Sequence, residues 1–247
     1  MIALTQTTYM QESKVDLLGL MRSPGFVLPA LLFPCAFYFF FGVVFKHDAS
    51  GASTYLLVNY CIFGIMGPAL FNFGVHVAQD RETGSLTLKR LSPMPPLAYV
   101  MAKSLSALCF SLLICSLLFG IALLGTDVTM SASQWLGLLG TALLGTLPFC
   151  GLGLWLGLKL SAKAAPAVVN LVYLAMAMCS GLWVPITLLP ESMQTFAWLL
   201  PSYHLSQLAL SVLSMHQGHP IGLHLIILSA FAIAFALLAS HQWRKLY

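Results

Sequence analysis

The residues able to do chemistry gather in a few places. Positions 78–96 read AQDRETGSLTLKRLSPMPP and hold Asp80, Arg81, Glu82, Lys89 and Arg90 before Pro93, Pro95 and Pro96. Charges packed this closely belong either to a short helix at the edge of the apolar layer or to a solvated loop whose charges only enforce topology. Asn72 and His76 lie four apart, on one face if their segment is helical, and Asn59 and Asn170 also sit in apolar surroundings. Polar groups among hydrocarbon avoid lipid, so these four should face other helices or a wet path. Interhelical hydrogen bonding for packing and contact with a substrate both fit them. His204, His216, His219 and His224 could hold a metal if they folded together, yet their spacing fits no compact motif and no Cys or carboxylate pair accompanies them.

Catalytic arrangements are missing. No HExxH or GxSxG occurs. The closest approach to a phosphate-binding loop, Gly153 to Lys159, has the wrong spacing, so ATP is not bound by that route. Cys35, Cys61, Cys109, Cys115, Cys150 and Cys179 all fall inside apolar runs without a CxxC pair, and read as small buried residues.

Those runs dominate the chain. Of 247 residues 59% are hydrophobic and 7% charged, against about 25% charged in an ordinary soluble domain. Mean hydropathy is +0.90. A water-soluble globule is excluded, because most of the exterior must face lipid. The net charge of +4 does not indicate a nucleic-acid partner, since the basic residues are scattered between apolar segments. Six stretches, 26–45, 55–77, 104–125, 135–158, 166–183 and 221–239, each approach the length that crosses a bilayer. Backbone amides in hydrocarbon must be paired internally, and no period-two pattern suggests a barrel, so the expected fold is an all-α bundle of six transmembrane helices forming one domain over 1–247. No acidic residue lies within these stretches, which disfavours a carboxylate proton relay or an aspartyl protease. Gly153 and Gly157 form a GxxxG step that permits close packing without naming the partner helix.

Orientation follows from the basic residues. Lys14, Arg22, Arg81, Lys89, Arg90, Lys103, Lys159, Lys163, Arg244 and Lys245 fall on one side of the six stretches, and only Lys46, beside Asp48, on the other. Cations stay preferentially in the cytoplasm, so both termini are expected there. The start of the chain lacks the pattern of a cleavable signal, and the first span is expected to direct its own insertion.

Three segments do not span. In 1–23, Met10, Leu17, Leu18 and Met21 recur at near-helical spacing among Gln11, Glu12, Lys14 and Asp16, before Ser23 and Pro24 break the helix. This reads as an interfacial helix, with a frayed tail as the alternative. Positions 78–96 are longer than a simple connection needs. They fit either a short helix lying across the cytoplasmic end, with Gly84 ending a turn, or a solvated loop. Positions 184–220 carry no Lys or Arg, and Pro185, Pro190 and Pro201 cut them into pieces too short to cross. Their apolar character suggests a re-entrant outer segment.

Two of these stretches carry a resemblance. AQDRETGSLTLKRLSPMPPLAYVMAKSLSAL at 78–108 resembles the ABC-2 type transporter permeases, with an acidic-basic-acidic triplet before Gly, then Ser or Thr, a hydrophobic stretch and a Pro-containing turn. SGLWVPITLLPESMQTFAWLLPSYHLSQLAL at 180–210 is similar to the broken outer segment before that family's last span. The resemblance implies an exporter subunit of the inner membrane that pairs with a second copy or a sibling permease and docks cytoplasmic ATPase subunits. Those subunits would hold ATP and Mg, and no cofactor would sit on this chain. It implies that Asp80, Arg81, Glu82, Thr83 and Gly84 couple to the ATPase, that Lys14 and Arg22 add ATPase or lipid contacts, and that Pro185, Pro190, Pro201 and Tyr203 shape the outer closure. The cargo classes it allows are lipids, drug-like natural products and lipid-linked glycans. A non-transporting membrane scaffold or sensor would use the same spans, and an intramembrane enzyme would have to draw on Asn72, His76 or the outer histidines.

Overall fold

The structure is a computed structural model that describes residues 2–45, 51–92 and 94–245. Lys46 and Asp48, expected in an outer turn, and Pro93 of the proline turn lie outside the described residues. All described regular structure is helical.

The chain opens with α1 (Ile2–Met21), and Pro24, whose missing amide costs nothing at a helix start, begins α2 (Pro24–Tyr38). A π-helical turn, Phe39–Val44, prolongs α2. Next come α3 (Ala52–Glu82), the short α4 (Ser85–Leu91), α5 (Pro96–Gly125) and α6 (Ala132–Lys159). A capping box starts α6: the Ser131 hydroxyl accepts from the Gln134 amide, while the Gln134 side chain accepts from the Ser131 amide at 2.8 Å. After α7 (Ala165–Cys179) the chain breaks into a 3₁₀ turn (Ile186–Leu188), α8 (Glu191–Ala197) and α9 (Pro201–Ser211), then ends in α10 (Ile221–Lys245).

Five helical segments are long and apolar enough to cross a membrane: Pro24–Val44, α3, Leu97–Gly125 within α5, α6 and α10. The expected fifth span at 166–183 instead becomes α7, whose 15 residues reach only about 22 Å against about 30 Å of hydrocarbon. Gly181 turns the chain away at φ +76°, where a Cβ would crowd the Ile186 backbone at 3.0 Å. Four other expected spans lie inside longer helices, and that at 26–45 runs one residue past Val44. α3 in particular runs through Asp80, Arg81 and Glu82, because that stretch holds good helix formers and nothing stops it before Gly84.

α3 is the axis. In its hydrophobic stretch 89% of residues are buried, against 17% for Pro24–Val44 and 11% for α10, so those two present most of their surface outward. The Gly153–Gly157 step finds its partner within the chain: a Cβ at Gly153 would lie 3.0 Å from the carbonyl oxygens of Ala69 and Leu70, and one at Gly157 would collide with that of Phe73. α6 therefore lies directly on the backbone of α3. Around this contact Tyr60, Phe63, Ile65, Met66, Leu70 and Phe149 fill the core.

Candidate functional site

α1 is held to the bundle by its carboxylates. Glu12 and Asp16, one turn apart, face inward, whereas Met10, Leu18 and Met21 of the expected apolar stripe are exposed. Glu12 pairs with Lys89 of α4. Asp16 Oδ1 lies 3.0 Å from Lys103 Nζ, and the same ammonium stands 3.7 Å from Asp80 Oδ2. Tyr99, one turn before Lys103 on α5, donates its hydroxyl to Asp80 at 2.7 Å. Its ring lies under both cations, 4.8 Å from Lys89 Nζ and 5.2 Å from Lys103 Nζ. Burial alone would raise the Asp16 carboxyl, but the Lys103 ammonium and hydrogen bonds from Lys103 and Asn72 outweigh it and hold the group below its ordinary range. Three carboxylates and two ammonium groups thus tie α1, α3, α4 and α5 together at one end.

The coupling residues expected from the sequence divide in two. Asp80 turns inward as described. Arg81 also turns inward, donating to the carbonyl oxygens of Leu158 and, at 2.6 Å, Leu160, where α6 ends and acceptors stand free. Glu82 and Thr83 are exposed. Gly84 adopts φ +77°, a left-handed conformation costly for a side chain, and this reverses the chain into α4. On α4, Leu86 is buried while Leu88 and Leu91 are 70% and 81% exposed, so the short helix presents apolar side chains outward beside Glu82. The triplet belongs to the end of α3 and not to the short helix that follows. Lys14 and Arg22 are exposed on and just after α1.

The four intramembrane polar residues also separate. Asn59 is fully buried; it donates to the Tyr55 carbonyl at 3.0 Å and accepts from Ser206. Asn72 joins the ionic cluster, donating to the Lys103 carbonyl at 3.1 Å and accepting from Lys103 Nζ at 3.4 Å. Its oxygen also lies 3.3 Å from His76 Nδ1. His76 and Asn170 line a cavity of about 540 Å³ between α2, α3 and α7, walled by Phe26, Phe71, Tyr173 and Trp183.

In the outer segment the prolines sit where helices begin: Pro185 before the 3₁₀ turn, Pro190 before α8, Pro201 as the first residue of α9. Tyr203 is buried against Trp198, ring centroids 5.5 Å apart. His204 Nε2 donates to the Trp198 carbonyl at 2.9 Å, which leaves its Nδ1 to accept from His224 Nδ1 at 2.8 Å. His219 packs edge-on against Trp198. Among the described residues no group of three or more His, Cys, Asp or Glu is placed to hold a metal.

Sequence reasoning missed Glu12, Asp16, Lys89, Tyr99 and Lys103 as a unit. Two signals pointed to it: the four-residue spacings Glu12/Asp16 and Tyr99/Lys103, and a lysine one residue from an apolar run.

The sequence that builds this arrangement matches a known family. The family model described as ABC-2 type transporter matches residues 12–213, from the middle of α1 to just beyond α9. The chain is also similar to YvfS of Bacillus subtilis (strain 168), whose name is that of a transport permease, at 29% identity over 238 residues that cover 95% of this chain and 96% of the relative. With five membrane-length helices and a family match over most of its length, the chain belongs to the ABC-2 type transporters as a multi-pass membrane permease.

Proposed function

We propose that this chain is the membrane subunit of an exporter powered by a separately encoded ABC ATPase. The observation that carries the reading is the surface at the end of α3: Glu82, Thr83, Leu88 and Leu91 face outward from a base locked by Asp16, Asp80, Lys89 and Lys103. Exposed apolar side chains beside a carboxylate suit a protein contact, and a base tied to four helices passes a push onward instead of absorbing it. Asp80 and Arg81 brace this surface, while Glu82 and Thr83 touch the ATPase. ATP and Mg reside on that partner. The glycines of the Gly153–Lys159 stretch are occupied in packing against α3 and do not fit a phosphate.

The basic end faces the cytoplasm, which puts both termini there and the chain in the inner membrane. α7 together with the broken outer segment completes a sixth crossing, with 184–220 folded back from the outer surface and Pro185, Pro190, Pro201 and Tyr203 shaping its closure. The little-buried α2 and the exposed side of α7 meet a second permease copy. The aromatic cavity at His76 and Asn170 then lies along the path taken by a lipophilic or amphipathic cargo.

Co-expression with the candidate ATPase tests the reading. The two chains should purify together, and Glu82→Lys combined with Leu88→Glu should reduce the bound ATPase severalfold while the permease elutes normally. Unchanged stoichiometry in that double variant refutes the coupling surface; absence of any nucleotide-hydrolysing partner refutes the function.

A further inference from the structure

A second apolar space has no part in that reading. It is a groove of about 480 Å³ formed by α5, α6 and α10 over Phe73 of α3, and α5, α6 and α10 do not line the His76 cavity. Leu97, Val100 and Ser104 of α5 make one wall, and Ala236, Ala239 and Ser240 of α10 the other. Gly151 lies on the floor, where a Cβ would approach that of Phe235 to 3.2 Å, so α10 sits close on α6 and its small side chains leave the slot open. Because α10 is so little buried, the slot faces the surrounding membrane.

Its two ends differ in chemistry. At one end Trp243 leans on Tyr99, ring centroids 6.2 Å apart, and so sits beside the ionic cluster. Arg244 stands at the same end, exposed, and makes no hydrogen bond or ion pair among the described residues. Three other cations at that end are engaged: Arg81 on the α6 carbonyls, Lys89 and Lys103 on carboxylates. An indole marks headgroup depth. A guanidinium binds phosphate through two parallel hydrogen bonds, and basic pockets between membrane helices hold anionic head groups.

We infer that this groove is a binding site for one anionic phospholipid, with an acyl chain in the slot between α5 and α10 and the phosphate on Arg244. The apolar walls exclude a free anion, and the unpaired guanidinium distinguishes the site from a surface that any lipid tail would wet.

The test uses the full chain in mixed micelles holding equal amounts of phosphatidylglycerol and phosphatidylcholine of the same chain length, read by native mass spectrometry. The wild-type chain should retain phosphatidylglycerol in preference. Arg244→Gln should reduce that preference about tenfold, the scale of one charge-assisted contact. Ala236→Phe should lower retention of both lipids by filling the slot, with Ser240→Leu serving the same purpose should the first elute as aggregate. Lys163→Gln, which alters an exposed cation between α6 and α7, should change nothing. Equal retention of the two lipids by the wild type, or an undiminished preference in Arg244→Gln, overturns the inference.

Discussion

Lys103 Nζ lies 3.0 Å from the Asp16 carboxylate across 87 positions of sequence, and this contact fastens the amphipathic N-terminal helix to the first turns of α5. Lys103 is 3% exposed, and its other neighbours are Asp80, Asn72 and the Tyr99 ring. Neutralising it leaves two carboxylates without their main counter-charge. Lys103→Met should therefore cost about 3–5 kcal/mol, read as loss of thermal stability in detergent. Asp16→Asn should cost less, because Asp80 still faces the ammonium. A double-mutant cycle on the pair should give a coupling of about 0.5–3 kcal/mol; a coupling near zero would show that the contact does not hold α1.

Acid should release α1. The Asp16 carboxyl has a folded-state pKa below its unfolded value of 3.8, so its contribution is complete above the unfolded value and is lost as pH falls through the folded one. Proteolytic cleavage in α1 should accelerate below about pH 4. The Asp16→Asn chain should be more readily cleaved at neutral pH and show a weaker acid step. An identical step in both chains would place the titration elsewhere.

Arg81 and Glu82 are neighbours with opposite expected phenotypes. Arg81→Gln strips two carbonyls at the end of α6 of a charged donor, at about 1.5–3 kcal/mol, and lysine should restore little because it lacks the planar fork. Glu82→Gln should change stability by no more than about 0.5 kcal/mol. It should instead lower cargo-stimulated ATP turnover in the assembled transporter. Equal melting temperatures for the two variants would contradict this division.

Glycines on the α3–α6 contact should differ sharply from glycines elsewhere. Gly157→Ala forces a methyl against the Phe73 carbonyl, and crowding of this kind costs about 1–3 kcal/mol. Gly120→Ala and Gly140→Ala meet nothing within 4 Å and should be neutral or stabilising by about 0.5–1 kcal/mol. Thermal melts of the three variants decide the point.

What the sequence revealed, and what it hid, follow one physical division. Long apolar runs announce membrane helices because the bilayer fixes their length, so 104–125, 135–158 and 221–239 lie inside real helices of membrane length, and 26–45 overlaps Pro24–Val44 in all but its last residue. Hydropathy cannot tell where a helix stops once it enters water, and α3 therefore extends past Val77 through the charged triplet. Nor can it see Gly181 turning the chain early, which shortens the stretch at 166–183. The proline positions were legible in the outer segment because proline acts locally. The pairing of Asp16 with Lys103 was not, because it joins residues brought together only by the packing of α1 on α5. Asp80 and Arg81 illustrate the same limit: their charge is plain in the sequence, their inward direction is not.

Asn72 gives the architecture an unlooked-for economy. One carboxamide oxygen serves both the Lys103 ammonium and the ring of His76, which borders the aromatic cavity. Asn72 therefore stands between the cavity on one flank of α3 and the seat of α1 on the other, and removing its carboxamide would disturb both at once.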